Sequence, residues 1–246
     1  MRRGGGALLA GVLVCAVLAR GEAATTVVRL CALDRVEGAL VFDDGGQERR
    51  VFVPLQRRSD AMPIAGGSRL VFERAEETGE GHAGAAAGTR RAVSGDVRRE
   101  PVAVTTLPGD VRRPLLVFEA APSRGEGKFN VHVLEDAWSA FPARTVRVAN
   151  LSTLRMAAAV SGREFVIEPG ATESVPIERE DATHVSVKLA VEGPEGWSVD
   201  YDGVHQVLPR MRFLFVCRAV PDAEKGVALR TALLRDHEPS SAQLQR

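Results

Sequence analysis

The amino-acid sequence predicts an all-β chain built as two tandem antiparallel β-sandwich units of immunoglobulin-like kind. Three observations carry that expectation: a period of two in the apolar residues, glycine-centred turns between the alternating runs, and an internal repeat. In His184-Val185-Ser186-Val187-Lys188-Leu189-Ala190-Val191-Glu192 the odd positions are all apolar, and every even position but Ala190 is polar. Trp197-Ser198-Val199-Asp200-Tyr201 and Phe129-Asn130-Val131-His132-Val133 alternate in the same way. A period of two is what a strand with one buried face requires, and one-sided strands belong to antiparallel sheets. No stretch combines helical periodicity with caps.

Taken in order, the chain opens with Arg2 and Arg3, an apolar run from Ala7 to Ala19, and small residues at Gly21-Glu22-Ala23. That is the plan of a secretory signal peptide, and the 13-residue run falls short of the roughly 20 that a spanning helix needs. Residues 1–23 are therefore set aside as a signal peptide. An exported product, periplasmic or secreted, with no membrane span in the mature chain is expected. Val14 is too bulky to precede a lipidated Cys15. Without residues 1–23 the chain carries 29 basic and 31 acidic side chains. Such balance argues against nucleic acid as a partner.

The first unit is expected over 24–136 and the second over 137–246, the latter ending in a polar tail. In the first, Asp43-Asp44-Gly45-Gly46 separates two strand-like runs, and 76–100, rich in Gly, Ala and charge, reads as a surface loop. In the second, Ser161-Gly162 joins Met156–Val160 to Glu164–Ile167, again as a hairpin. The units repeat one another. Arg113–Pro122 resembles Arg212–Pro221, and each block leads to a strand ending at Asp136 or Asp236. Ile64-Ala65-Gly66-Gly67 matches Ile167-Glu168-Pro169-Gly170, and Thr26–Arg29 matches Thr145–Val148. Cys31 and Cys217 sit inside apolar runs in different halves, which favours two buried free thiols over a disulfide.

One resemblance rests on Phe141-Pro142, Val146–Ser152, Pro169-Gly170, Gly196-Trp197 and Arg210–Val216. In these the chain resembles a loose group of exported bacterial β-rich proteins without an assigned activity. The resemblance implies architecture and compartment, and it implies no chemistry.

Motifs that bear chemistry fail on inspection. Gly79-Glu80-Gly81-His82-Ala83-Gly84 fits a dinucleotide-binding spacing but opens no amphipathic helix for the pyrophosphate. Gly125-Glu126-Gly127-Lys128 lacks the Ser or Thr that a phosphate loop requires. Gly66-Gly67-Ser68 lacks a partnered His and acid. The ligand candidates are Trp197, Trp138, Asp200, Asp202 and His205. Alternation puts Trp197 inward beside Val199 and Tyr201, with Asp200 and Asp202 facing outward. Two carboxylates and an imidazole are a donor set for a divalent cation, but a solvated strand edge explains them as well. Trp138, near Phe141, is expected to cover the seam between the units, and Asn150-Leu151-Ser152 is a formal glycosylation sequon. No cofactor, metal or catalytic residue is expected. The expected role is structural or protein-interacting, towards a protein or cell-envelope component, with a carbohydrate- or other ligand-binding module as the alternative and a hydrolase third.

Overall fold

The computed structural model describes residues 25–64, 69–75, 99–125, 127–179 and 181–239. The predicted signal peptide lies outside the described residues. So does most of the predicted loop 76–100, whose last two residues begin a strand. The first unit contributes β1 (Thr26–Ala32), β2 (Leu40–Asp43), β3 (Glu48–Val51), β4 (Met62–Ile64), β5 (Arg69–Ala75), β6 (Arg99–Thr106), β7 (Pro114–Ala120) and β8 (Phe129–Glu135). The second contributes β9 (Thr145–Asn150), β10 (Met156–Val160), β11 (Arg163–Ile167), β12 (Thr172–Pro176), β13 (His184–Gly193), β14 (Gly196–Gln206), β15 (Met211–Asp222) and β16 (Gly226–His237). Among the described residues no helix is long and apolar enough to cross a membrane.

The strands form four sheets, β4-β1-β7-β8 with β3-β2-β5-β6, and β12-β9-β15-β16 with β11-β10-β13-β14. Adding eight to each strand number turns one unit into the other. The repeat is thus a repeat of topology, down to a register shift at Phe72/Glu73 in one unit and at Leu189/Ala190 in the other. The Arg113–Pro122 and Arg212–Pro221 blocks are β7 and β15. The expected match of Thr26–Arg29 with Thr145–Val148 joins the right strands one residue out of step, because Arg29 faces Leu115 as Arg147 faces Leu214. The expected match of Ile64 with Ile167 does not hold. Ile64 ends β4, whereas Ile167 ends β11, the counterpart of β3. Gly- and Pro-bearing turns look alike wherever a chain reverses, which misaligned these two.

One pairing per unit departs from the antiparallel pattern, because β1 runs parallel to β7 and β9 to β15. The five strands between each pair supply the long connection that parallel neighbours need. Of the expected immunoglobulin-like architecture, what holds is the two-layer β-sandwich construction, with an allocation of strands to layers that is this chain's own. The Ser161-Gly162 hairpin is as expected. Both residues have positive φ, 48° and 87°, the conformation that matches strand twist in a two-residue loop.

Each sandwich has its own core. Leu30, Phe42, Phe72 and Phe118 fill the first, and Met156, Leu189, Phe213 and Phe215 the second. A third cluster joins Cys31, Leu115 and Val117 of the first unit to Leu214, Val216 and Leu234 of the second. Strands β7 and β15 are therefore covered on both faces. That is why Leu115–Phe118 and Phe213–Cys217 are unbroken apolar runs rather than alternating ones. The segment between β8 and β9 belongs to this seam, with Asp136, Ala137 and Phe141 buried.

Candidate functional site

The second unit's outermost sheet holds the candidate site, and its geometry starts from β14. Leu189 faces Tyr201, but the next residue, Ala190, faces Val199, so Asp200 is an extra residue between two pairs. A bulge of this kind shifts the alternation by one. Tyr201 keeps its inward direction against Phe215. Trp197 and Val199 move to the outer face, where they are 46% and 58% exposed. The expectation that Trp197 packs inward is corrected here, because a period of two cannot be carried through a bulge.

The same bulge corrects Asp200, which points inward instead of into solvent. Its carboxylate accepts hydrogen bonds from Lys225 Nζ at 2.7 Å and from the Leu229 backbone N–H at 2.7 Å, both next to or on β16. Burial on its own would raise the Asp200 pKa. The bonds from Lys225 and Leu229 outweigh it and hold the carboxyl below the usual range. Asp202 does face outward, paired with Lys188 at 3.0 Å. His205 is buried and joins neither acid. Arg235 Nη2 lies 3.2 Å from its Nδ1, which leaves Nε2–H to donate to Tyr201 Oη at 2.7 Å. The four polar groups thus part into three separate pairings. Among the described residues no His, Cys, Asp or Glu cluster could hold a metal ion.

Pairing registers order the outer face of this sheet into rows that cross its strands. One row is Val166, Ala157, Ala190 and Val199. On one side lies the row Glu164, Ala159, Lys188 and Asp202. On the other Arg155 bonds Glu168 at 3.2 Å and Glu192 at 3.4 Å, and Glu192 pairs with Trp197. The alanines leave a hollow of about 470 Å³ between Val166 and Phe165 on one strand and Trp197 and Val199 on another. The matching row of the first unit is Arg50, Val41, Glu73 and Pro101, and Arg99 stands where Trp197 stands. There Arg99 bridges Glu48 and Glu73, and Val41 is buried. One fold position carries a hollow in both units, about 430 Å³ and lined by ion-paired side chains in the first and apolar in the second.

The other features are structural. Trp138 is half-buried at the seam, with the Arg212 guanidinium 3.5 Å from its ring centroid. Arg212 has no exposed surface and bonds Asp236, the Asp136 carbonyl and the Phe141 carbonyl. Arg58 and Arg29 reach the same two aspartates. Burial lowers the Arg212 pKa, and Asp136 and Asp236 oppose that fall. At the other end Arg218 makes a two-pronged contact with Asp34, at 2.6 and 2.7 Å. Cys31 and Cys217 are free and buried in different clusters. Burial pushes their thiols up to about 11 and about 12. Asn150 has no exposed surface, and its amide donates to the carbonyls of Leu154, Ile167 and Glu168, so the sequon is closed in the folded protein. A cleft of about 560 Å³ lies by the β10–β11 turn. Two of its polar residues are engaged locally, Arg179 with Asp181 and His184 with Thr183.

Sequence reasoning missed the apolar row, since Ala157, Val166 and Ala190 carry no signal alone. The first unit's charged counterparts, Val41 aside, are the comparison that would have found it. No protein-family model matches the chain, and no curated protein is significantly similar to it.

Proposed function

We propose that this is an exported, non-enzymatic β-sandwich protein whose second unit presents a protein-contact face. The observation that supports this most is the row Val166–Ala157–Ala190–Val199 with Trp197 at its corner, apolar where the sister unit's hollow is lined by the ion pairs of Arg99 with Glu48 and Glu73. Contiguous exposed apolar surface rimmed by polar residues is typical of interaction sites. Export rests on the Arg2-Arg3, Ala7–Ala19 and Gly21-Glu22-Ala23 pattern, and N-terminal sequencing from the host should find a mature start near Ala24. The partner is a protein or cell-envelope component.

A photo-crosslinking amino acid at Val166 or Val199 in the native host tests the reading. Adducts are expected there and not at Val104, an exposed position on the first unit's outer sheet. Equal labelling at all three positions would overturn it. A second reading, glycan binding, is favoured by the exposed indole alone. Against it, the hollow offers sugar hydroxyls only Glu164 and Lys188 as hydrogen-bonding side chains, and Lys188 is already paired with Asp202. A glycan array on which Trp197→Ala removes a signal would promote it.

A further inference from the structure

We infer that the apolar row seats an amphipathic helix whose apolar stripe is flanked by Lys or Arg. The inference rests on the protein-contact reading and names the partner's chemistry.

Backbone accounting selects a helix. The interior of a sheet face offers no free backbone N–H or C=O, because those groups are spent on neighbouring strands. An extended segment laid across Ala157 and Ala190 would leave half of its own backbone groups against an apolar floor, which is costly. A helix arrives with its backbone bonded internally, and anchors on one face of it fill such a groove. Dimensions agree. The flanking charged rows lie about 13 Å apart along the strands, and a helix with side chains is about 10–12 Å across. Crossing four strands takes about 14 Å, or roughly ten helical residues.

Charge selects the flanks. Glu164, Glu168, Glu192 and Asp202 rim the row against Arg155 and Lys188. Both cations are already engaged, Lys188 by Asp202 and Arg155 by Glu168 and Glu192. Among the described residues Glu164 has no ion-pair partner, so the rim carries surplus negative charge on both sides. A basic flank is attracted there and an acidic one repelled.

The test uses the mature full chain and three synthetic peptides: a Leu-striped helix flanked by Lys, the same stripe flanked by Glu, and a scrambled Lys peptide lacking the stripe. Calorimetry and tryptophan emission should show the Lys-flanked helix binding about tenfold tighter than the Glu-flanked one. That preference should shrink with salt and with a Glu164→Gln/Glu192→Gln double variant. Trp197→Ala should weaken binding while leaving the fold intact by circular dichroism. Equal affinity for Lys and Glu flanks would overturn the charge assignment, and equal affinity for the scrambled peptide would overturn the helix. If no peptide binds while crosslinks still form at Val166, the helix proposal falls and the contact face stands. Absence of both removes the underlying reading as well.

Discussion

Arg212 is the residue on which the seam depends most. Its guanidinium is wholly buried, stacks on Trp138 and bonds Asp236. Burial would raise the Asp236 pKa, but Arg58, Arg212 and Arg29 outweigh it and bring the carboxyl below its usual range. Arg212→Met leaves buried carboxylates short of countercharge, a change that typically costs about 3–5 kcal/mol. A urea melt should show that loss, and Arg212→Lys should recover little, lacking the planar group that stacks on Trp138. His205 sets the response to mild acid. Burial first, then Arg235, lowers its pKa below the ordinary value. The unfolded chain therefore binds its proton more readily. The stability tied to neutral His205 is full above about pH 6.5 and is lost as pH falls below it. Melting temperature should drop between about pH 7 and 5, and His205→Gln should flatten that window. Asp200 and Asp236, with lowered pKa values, act only at more acidic pH.

At the scale of the element, β14 shows how one added residue decides what a strand presents. Asp200 pins the bulge through Lys225 and the Leu229 N–H, tying the second unit's two sheets together. Asp200→Ala leaves that N–H without its acceptor and should cost about 1–3 kcal/mol. Trp197→Ala should change stability by less than about 1 kcal/mol, because nearly half of the side chain is already in water. An inward Trp197 would have cost about 3–5 kcal/mol, so chemical denaturation of the two variants distinguishes the arrangements. The first unit has the same bulge with Val102 at the inward position, so the bulge belongs to the repeat. What differs is the cargo, Arg99 and Pro101 in one unit, Trp197 and Val199 in the other.

At the scale of the molecule, the two units meet through the same face. Leu115 and Leu214 are equivalent positions, as are Val117 and Val216, and all four lie in the seam. A patch meeting its own copy is the arrangement of a symmetric dimer, here within one chain. Glu119 and Arg218 are also equivalent, and they face each other at 3.6 Å with opposite charge. Two copies of one unit would set like charges there, so this pair favours unequal partners. The intact chain should therefore unfold in a single transition. Residues 144–237 alone would expose Leu214, Val216 and Leu234, and light scattering should find them associated. A monomeric fragment with a cooperative melt would show that the seam is dispensable.

Strands, hairpins and the repeat were legible in the sequence because each is set by residues close together along the chain. His184–Glu192 alternates since its neighbours dictate which face each side chain takes, and Ser161-Gly162 turns because of its own backbone. The burial of Cys31 and Cys217 was equally readable from the apolar runs around them. The side to which Trp197 points was decided elsewhere. It depends on where β14 slips against β13, which is set only after the strands pair, and Asp200 then anchors that slip through Lys225 and the Leu229 N–H. The partner of Arg212, the second cover on β7 and β15, and the emptiness of the row at Ala157 likewise depend on residues far apart in sequence. Local sterics and periodicity write the elements, while register and sheet-to-sheet packing choose the faces, and those are set only when distant strands meet.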